Sequence, residues 1–272
     1  MNPNTNEESI QNDLVIIIMA GGNGKRMESD LPKVLHDVGG YPMIVNIICE
    51  SKKLCPKKIL IVVGQFRPII ESTIRQYVIN LDLIEFIDQS AALGTGHAVM
   101  CCRSILESSY MSSTTLVLSG DVPLIKTSTM FQMLHRLKKA KIMVTTLTDP
   151  FGYGRIVEND GVFDKIVEEK DCDPEQKKIL KVNCGIYAFK TSTLCKYLPH
   201  IQNKNSQKEF YLTDIIEIIK NDEQTVVDMY EIPADRQIEI YGVNTRQQLH
   251  TLIEMHNSSL VLEPKLLLGE SI

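Results

Sequence analysis

The chain has 272 residues, 43% hydrophobic and 23% charged, with a formal net charge of −5. These proportions are those of an ordinary globular protein and exclude a disordered chain, a collagen and a coiled coil. A protein that binds nucleic acid through counterion release is basic, and no Lys/Arg cluster here is interleaved with aromatics, so no nucleic-acid partner is expected. The longest apolar run, residues 14–20, is far short of the roughly 20 residues that span a bilayer. It follows a polar, acidic start, unlike a signal peptide, so no membrane association is expected. The seven Cys are scattered without a C-x-x-C pair. Such spacing reads as reduced thiols in a cytoplasmic protein rather than as a disulfide framework or metal site.

Along the chain, residues 1–13 are polar and expected to be frayed. Residues 14–19 (LVIIIM) are apolar at every position, as in a strand covered on both faces of a parallel sheet. Pro42 suits the start of a helix over 43–54. A strand over 58–63, a helix over 67–79 with Ile70, Ile74, Tyr77 and Val78 at helical spacing, and a strand over 84–87 follow. A helix after Gly96, a strand over 115–119, a helix over 128–138 and a strand over 142–147 complete a repeated β-α-β pattern. This order predicts an α/β, doubly wound, mostly parallel Rossmann-like sheet with right-handed crossovers. After Pro150, Gly152, Gly154 and Gly161 punctuate short strands, read as an inserted β region over about 150–190 that extends the sheet. Helices are expected again over 212–220 and 246–256. The chain is thus read as one domain over 14–257, followed by a C-terminal tail over 258–272.

The chemistry is concentrated where the first strand runs into Ala20-Gly-Gly-Asn-Gly-Lys-Arg-Met27. Glycines let a backbone turn tightly and aim N–H groups at a phosphate. Arg26 stands where a P-loop would need Ser or Thr after Lys25, and Met27 stands where a dinucleotide fingerprint would need its third Gly. Lys25, Arg26 and Lys33 put cations on one loop, suited to the charge of a triphosphate. Taken singly, each feature also has an ordinary reading: a tight turn, solvated charge, a turn residue at Asp121, a helix N-cap at Asn244, a charge run at Glu168. The six His show no paired metal spacing.

The ordered set of motifs is more specific. Met19-Ala-Gly-Gly-Asn-Gly-Lys-Arg-Met27 with Leu31-Pro-Lys-Val-Leu-His36 resembles the signature of sugar-1-phosphate nucleotidylyltransferases. The likeness is strongest to the uridylyltransferase (pyrophosphorylase) half of bacterial bifunctional enzymes of UDP-N-acetylglucosamine synthesis. Gln89, Leu93-Gly-Thr-Gly-His-Ala98, Ser119-Gly-Asp-Val-Pro-Leu124, Gly152-Tyr-Gly-Arg-Ile156, Ile166-Val-Glu-Glu-Lys-Asp171, Asn183-Cys-Gly-Ile186, Glu209-Phe-Tyr-Leu-Thr-Asp214 and Gly242-Val-Asn-Thr-Arg246 agree in order, over about residues 14–268. The chain departs from the family's usual pattern at Gly21 (commonly Ala), Lys25 (commonly Thr) and Ser119 (often Tyr).

The resemblance implies a nucleotide-diphospho-sugar transferase fold and an Mg²⁺-dependent enzyme. It would transfer UMP from UTP to N-acetylglucosamine 1-phosphate. It further implies that Arg26 and Lys33 are catalytic cations, and that Ala20, Gly21, Gly22, Gln89, Gly94 and Thr95 bind the nucleotide. Gly154, Glu168, Asn183 and Thr213 would contact the sugar, and Asp121 and Asn244 would hold the metal. The alternatives are transfer to another sugar 1-phosphate such as glucose 1-phosphate, use of another nucleoside triphosphate, or a non-catalytic subunit that senses a nucleotide sugar. The bifunctional enzymes continue into an acetyltransferase β-helix. The sequence stops about where that would begin, so no acetyl-CoA chemistry and a monomer or small homo-oligomer are expected.

Overall fold

A computed structural model describes residues 13–22, 24–223 and 227–262. Of the frayed start expected over 1–13, residues 1–12 lie outside the described residues, as does the tail from 263 onward; Asp13 is held by Lys57 at 2.8 Å and by Thr114 N–H at 2.9 Å. The chain runs through β1 (Leu14–Met19), β2 (Asp37–Val38), β3 (Tyr41–Pro42), α1 (Met43–Lys52), β4 (Lys58–Val63), α2 (Arg67–Tyr77), β5 (Ile84–Asp88), α3 (Thr95–Met100), α4 (Arg103–Ser109) and β6 (Thr114–Ser119). It continues through α5 (Thr127–Leu134), β7 (Ala140–Thr146), β8 (Arg155–Asn159), β9 (Val162–Val167), β10 (Lys181–Lys190), α6 (Thr191–Tyr197), α7 (Asp214–Glu223), β11 (Asp228–Glu231) and α8 (Arg246–Leu262).

The sheet has the order β11-β7-β10-β6-β1-β4-β5, with the β8–β9 hairpin leaning on β10. β1 is parallel to both β4 and β6. Its alternate residues serve opposite faces, as a two-residue period requires. Leu14, Ile16 and Ile18 pack with Ile59, Ile61 and Leu118 in one core, and Val15 and Ile17 with Leu60, Val62 and Val117 in the other. From β1 the chain winds outward through β4 to β5, then returns to β6 on the other side. That reversal places the topological switch between β1 and β6, and ligands of open α/β sheets bind in the crevice beyond the strand ends at such a switch.

Several expectations are corrected. Residues 181–190 are not an outlying extension: β10 is antiparallel to β6 and β7 and lies between them in the main sheet. Only β8 and β9 form the projecting hairpin. The helix after Gly96 is two short helices, α3 and α4. The helix expected over 128–138 ends at Leu134, with Arg136 left-handed at φ 54°. α8 runs through Leu262, so residues 258–262 are helix rather than tail. Among the described residues, no helix is long and apolar enough to cross a membrane.

Candidate active site at the β1–β6 switch

Met19 and Ser119 are register partners at the ends of β1 and β6, so the glycine-rich loop and Gly120-Asp121 leave the sheet side by side. Beyond β1, Met27 N–H donates to Gly24 O at 2.8 Å. This closes the 3-10 turn Lys25–Met27 and sends Arg26 back over the sheet edge. Pro32 starts a second 3-10 turn, Lys33–Leu35, which carries Lys33 inward. The Lys33 ammonium donates to Asp121 Oδ2 and, at 3.2 Å, to Asn244 Oδ1. Arg26 Nη2 donates to the same Asn244 oxygen at 3.2 Å. Ser119 Oγ donates to Asp121 Oδ1 at 2.5 Å. Burial alone would push the Asp121 carboxyl up, but the charge and hydrogen bond of Lys33, with the Ser119 hydroxyl, hold it below its ordinary value. Asp121 is therefore an ionised carboxylate already matched to a cation.

Asn244 is not the helix cap that its position allows. Thr245 Oγ1 accepts from Gln248 N–H at 3.2 Å and so caps α8, while Gln248 Oε1 accepts from Asn244 N–H at 2.8 Å. This leaves the Asn244 side chain free to face the site. Val243 N–H donates to the Asp121 carbonyl at 2.9 Å, which fixes Asn244 beside Asp121.

Two cavities meet at this cluster and share Met19, Arg26, Thr95, Ser119 and Asp121 as lining. The larger, about 700 Å³, is lined by Ala20, Gly21, Gly22, Gln89, Gly94, Thr95 and Lys33. Gln89 Nε2 donates to Gly94 O at 3.2 Å and lies 3.2 Å from His97 Nδ1, so His97 orients the amide. Gly94 is held at φ 108°, where a Cβ would stand 2.5 Å from Phe210 O, and only glycine fits there. The Thr95 hydroxyl oxygen already accepts from Leu212 N–H at 3.0 Å.

The smaller cavity, about 250 Å³, is lined by Gly154, Glu168, Asn183, Tyr153, Tyr187 and Asn244. Asn183 Nδ2 donates to Tyr187 Oη at 2.7 Å. Thr213 does not line the cavity; its hydroxyl donates to Glu168 Oε1 at 3.0 Å from behind. Burial pushes the Glu168 carboxyl up, and the charges of Asp171 and Glu209 add to that against the Thr213 hydrogen bond. Asp214 is pushed up to about 6 by burial, then by Glu168, Glu217 and Asp171. Sequence reasoning missed Tyr153, Gln248 and Arg246. The last two sit beside Asn244 in or next to the Gly242-Val-Asn-Thr-Arg246 motif, which was the available signal.

Among the described residues, no group of three or more His, Cys, Asp and Glu could hold a metal ion. The oxygens that meet Lys33 are one carboxylate and one amide. Lys33 stands in for a cation against both of them, which fits a hard ion that takes few protein ligands and completes its shell with phosphate and water oxygens.

The sequence profile of the Nucleotidyl transferase family matches residues 15–233. A mimivirus protein (Acanthamoeba polyphaga mimivirus) named "Probable UDP-N-acetylglucosamine pyrophosphorylase" is 44% identical over 247 residues, covering 89% of this chain and 95% of its own length. The Bifunctional protein GlmU of Saccharophagus degradans is 39% identical over 237 residues, 86% of this chain but 50% of that protein. The chain thus spans nearly all of the first relative and about half of the second. A Bacillus anthracis crystal structure named "Putative Glucose-1-Phosphate Thymidylyltransferase", in complex with sucrose, superposes with a TM-score of 0.67 at 19% identity, covering 89% of this chain and 94% of that one; this likeness is one of fold. With a family profile matching well over half its length, this chain belongs to the nucleotidyl transferase family.

Proposed function

We propose that the chain transfers UMP from UTP to N-acetylglucosamine 1-phosphate, giving UDP-N-acetylglucosamine and pyrophosphate. The observation that carries this reading is the meeting of two cavities at the Arg26–Lys33–Asp121–Asn244 cluster. One is open enough for a nucleoside triphosphate, and the other is lined by hydroxyl-binding groups. The name of the 44% identical relative, a UDP-N-acetylglucosamine pyrophosphorylase, favours this base and sugar over glucose 1-phosphate or another triphosphate.

The reaction needs no enzymic base, because a phosphate dianion is a nucleophile near neutral pH. A phosphate oxygen of the sugar phosphate attacks the α phosphorus of UTP. The bond from that phosphorus to the bridging oxygen breaks in line, and pyrophosphate leaves with the electron pair. The chain's work is then positioning and charge neutralisation. Backbone groups of Ala20, Gly21 and Gly22 line the phosphate path. Gln89, whose amide both donates and accepts, matches the uracil edge beside Gly94 and Thr95. Glu168 and Asn183 meet the sugar's hydroxyls and acetamido group above Gly154, and Thr213 sets the orientation of Glu168. Arg26 and Lys33 neutralise the phosphoryl group in transfer and the departing pyrophosphate. Asp121 and Asn244 would hold Mg²⁺, which when bound supplies further charge neutralisation on the phosphate oxygens. The reading carries with it a cytoplasmic location, in keeping with seven free Cys, and a monomer or small homo-oligomer.

The test is pyrophosphate release from each of UTP, CTP, GTP and dTTP with a panel of sugar 1-phosphates. UTP with N-acetylglucosamine 1-phosphate should be the best pair. Release with another pair and none with this one would replace the assignment, and none with any pair would favour a sensing role.

A further inference from the structure

We propose that Arg246 is a positioning residue that latches the glycine-rich loop to the segment carrying Asn244. Arg246 is the first residue of α8, where a cation opposes the helix dipole rather than complementing it. Its place is explained by what it holds. Nε donates to Met27 O at 2.7 Å, and Nη2 donates to Glu28 O. These are successive carbonyls at the end of the 3-10 turn that carries Arg26. Such terminal carbonyls lack partners within the turn. Glu28 is left-handed, at φ 48°, so the chain reverses there, and the planar Arg fork spans both oxygens as a Lys ammonium does not.

The Met27 side chain is fully buried with Val243 and Leu252, so the turn is anchored on the same C-terminal segment through an apolar contact as well. Between these anchors Arg26 reaches back to Asn244, two residues before Arg246. Arg246 therefore closes a ring: Asn244 to Arg26, through Met27 and Glu28, and back to Arg246. Opening the ring would free Arg26 to move relative to Asp121 and Lys33.

The role rests on the reading of Arg26 as a catalytic cation, so two measurements are needed. Amide exchange over residues 24–28 of the free protein requires no substrate, and Arg246→Ala should speed it about tenfold or more. Pyrophosphate release should slow by about tenfold to a hundredfold, the range for a reacting group misplaced by about an ångström, mainly through kcat. The same substitution in an Arg26→Ala background should add less than about twofold, because both act through one group. Arg246→Lys should keep the wild-type melting temperature yet recover only part of the rate, and it carries the test if Arg246→Ala does not fold. Unchanged exchange over 24–28, or a rate loss in Arg246→Ala that adds in full to that of Arg26→Ala, overturns the latch. A wild-type protein that is inactive with every substrate pair defeats the transfer reading instead, and the exchange measurement still decides whether the loop is latched.

Discussion

The Lys33 ammonium lies between the carboxylate of Asp121 and the amide oxygen of Asn244. Both partners of the ion pair are only 15% exposed. The chain thus sets a tethered cation against its own candidate metal site. A divalent ion can reach both oxygens only when Lys33 withdraws, and a triphosphate offers Lys33 another anion.

Metal and nucleotide binding should therefore be coupled, each raising the affinity for the other by the same factor. Lys33→Met should bind Mn²⁺ without nucleotide about tenfold more tightly than the wild type, as read by paramagnetic resonance or calorimetry. The same variant should melt lower without metal, because Asp121 loses its partner, and recover with Mn²⁺. Equal Mn²⁺ affinity in the two proteins would show that Lys33 does not occupy the site.

Gly21 leaves room for the amide of Gln89, the proposed reader of the base. A Cβ there would stand 2.6 Å from Gln89 Oε1, the far end of a side chain that can shift. Gly21→Ala should leave the melting temperature within about 2 °C. It should raise the KM for UTP about fivefold, the worth of one displaced hydrogen bond. A large loss of stability with an unchanged KM would make the glycine structural.

Behind the proposed sugar cavity, Thr213→Val removes the hydrogen bond to Glu168. The KM for the sugar 1-phosphate should rise about fivefold with the KM for UTP unchanged, and Thr213→Ser should restore it. Steady-state kinetics with each substrate varied separately checks this.

Asp214 gives a pH signature. Its folded pKa is raised from 3.8 to about 6, so the folded state favours the protonated form. That preference stabilises fully below the unfolded value and is lost as pH rises through about 6. Asp214→Asn removes the ionised group, so it should melt higher than the wild type at pH 8 by about 2–4 °C and close to it at pH 4, after discounting for solvent screening. An equal difference at both pH values would mean that Asp214 does not titrate in this window.

How much was legible in the sequence follows from what each residue depends on. β1 and the loop after it were legible because an unbroken apolar run followed by glycines has few other readings. The place of Asp121 just beyond β6 followed from the same sheet logic, whereas its metal role came only from the family resemblance. β10 was misplaced because a short, mostly apolar strand such as residues 182–189 reads alike in the centre of a sheet and at its margin. α8 outran its expected end because nothing in residues 257–262 breaks a helix. Thr213 was given to the sugar when it faces Glu168, since a motif fixes a neighbourhood but not the direction of a side chain. Arg246 was in view as the last letter of a motif. Its partners, Met27 and Glu28, lie 219 and 218 positions away, and only the folded chain brings them together.

The most direct test of the site is a crystal structure with UDP-N-acetylglucosamine and Mg²⁺. The expected result places uracil against Gln89 and Gly94, the diphosphate beside Arg26 and Lys33 with the ion on Asp121 and Asn244, and the sugar over Gly154 against Glu168 and Asn183. Density for the nucleotide sugar anywhere other than the β1–β6 switch would contradict it.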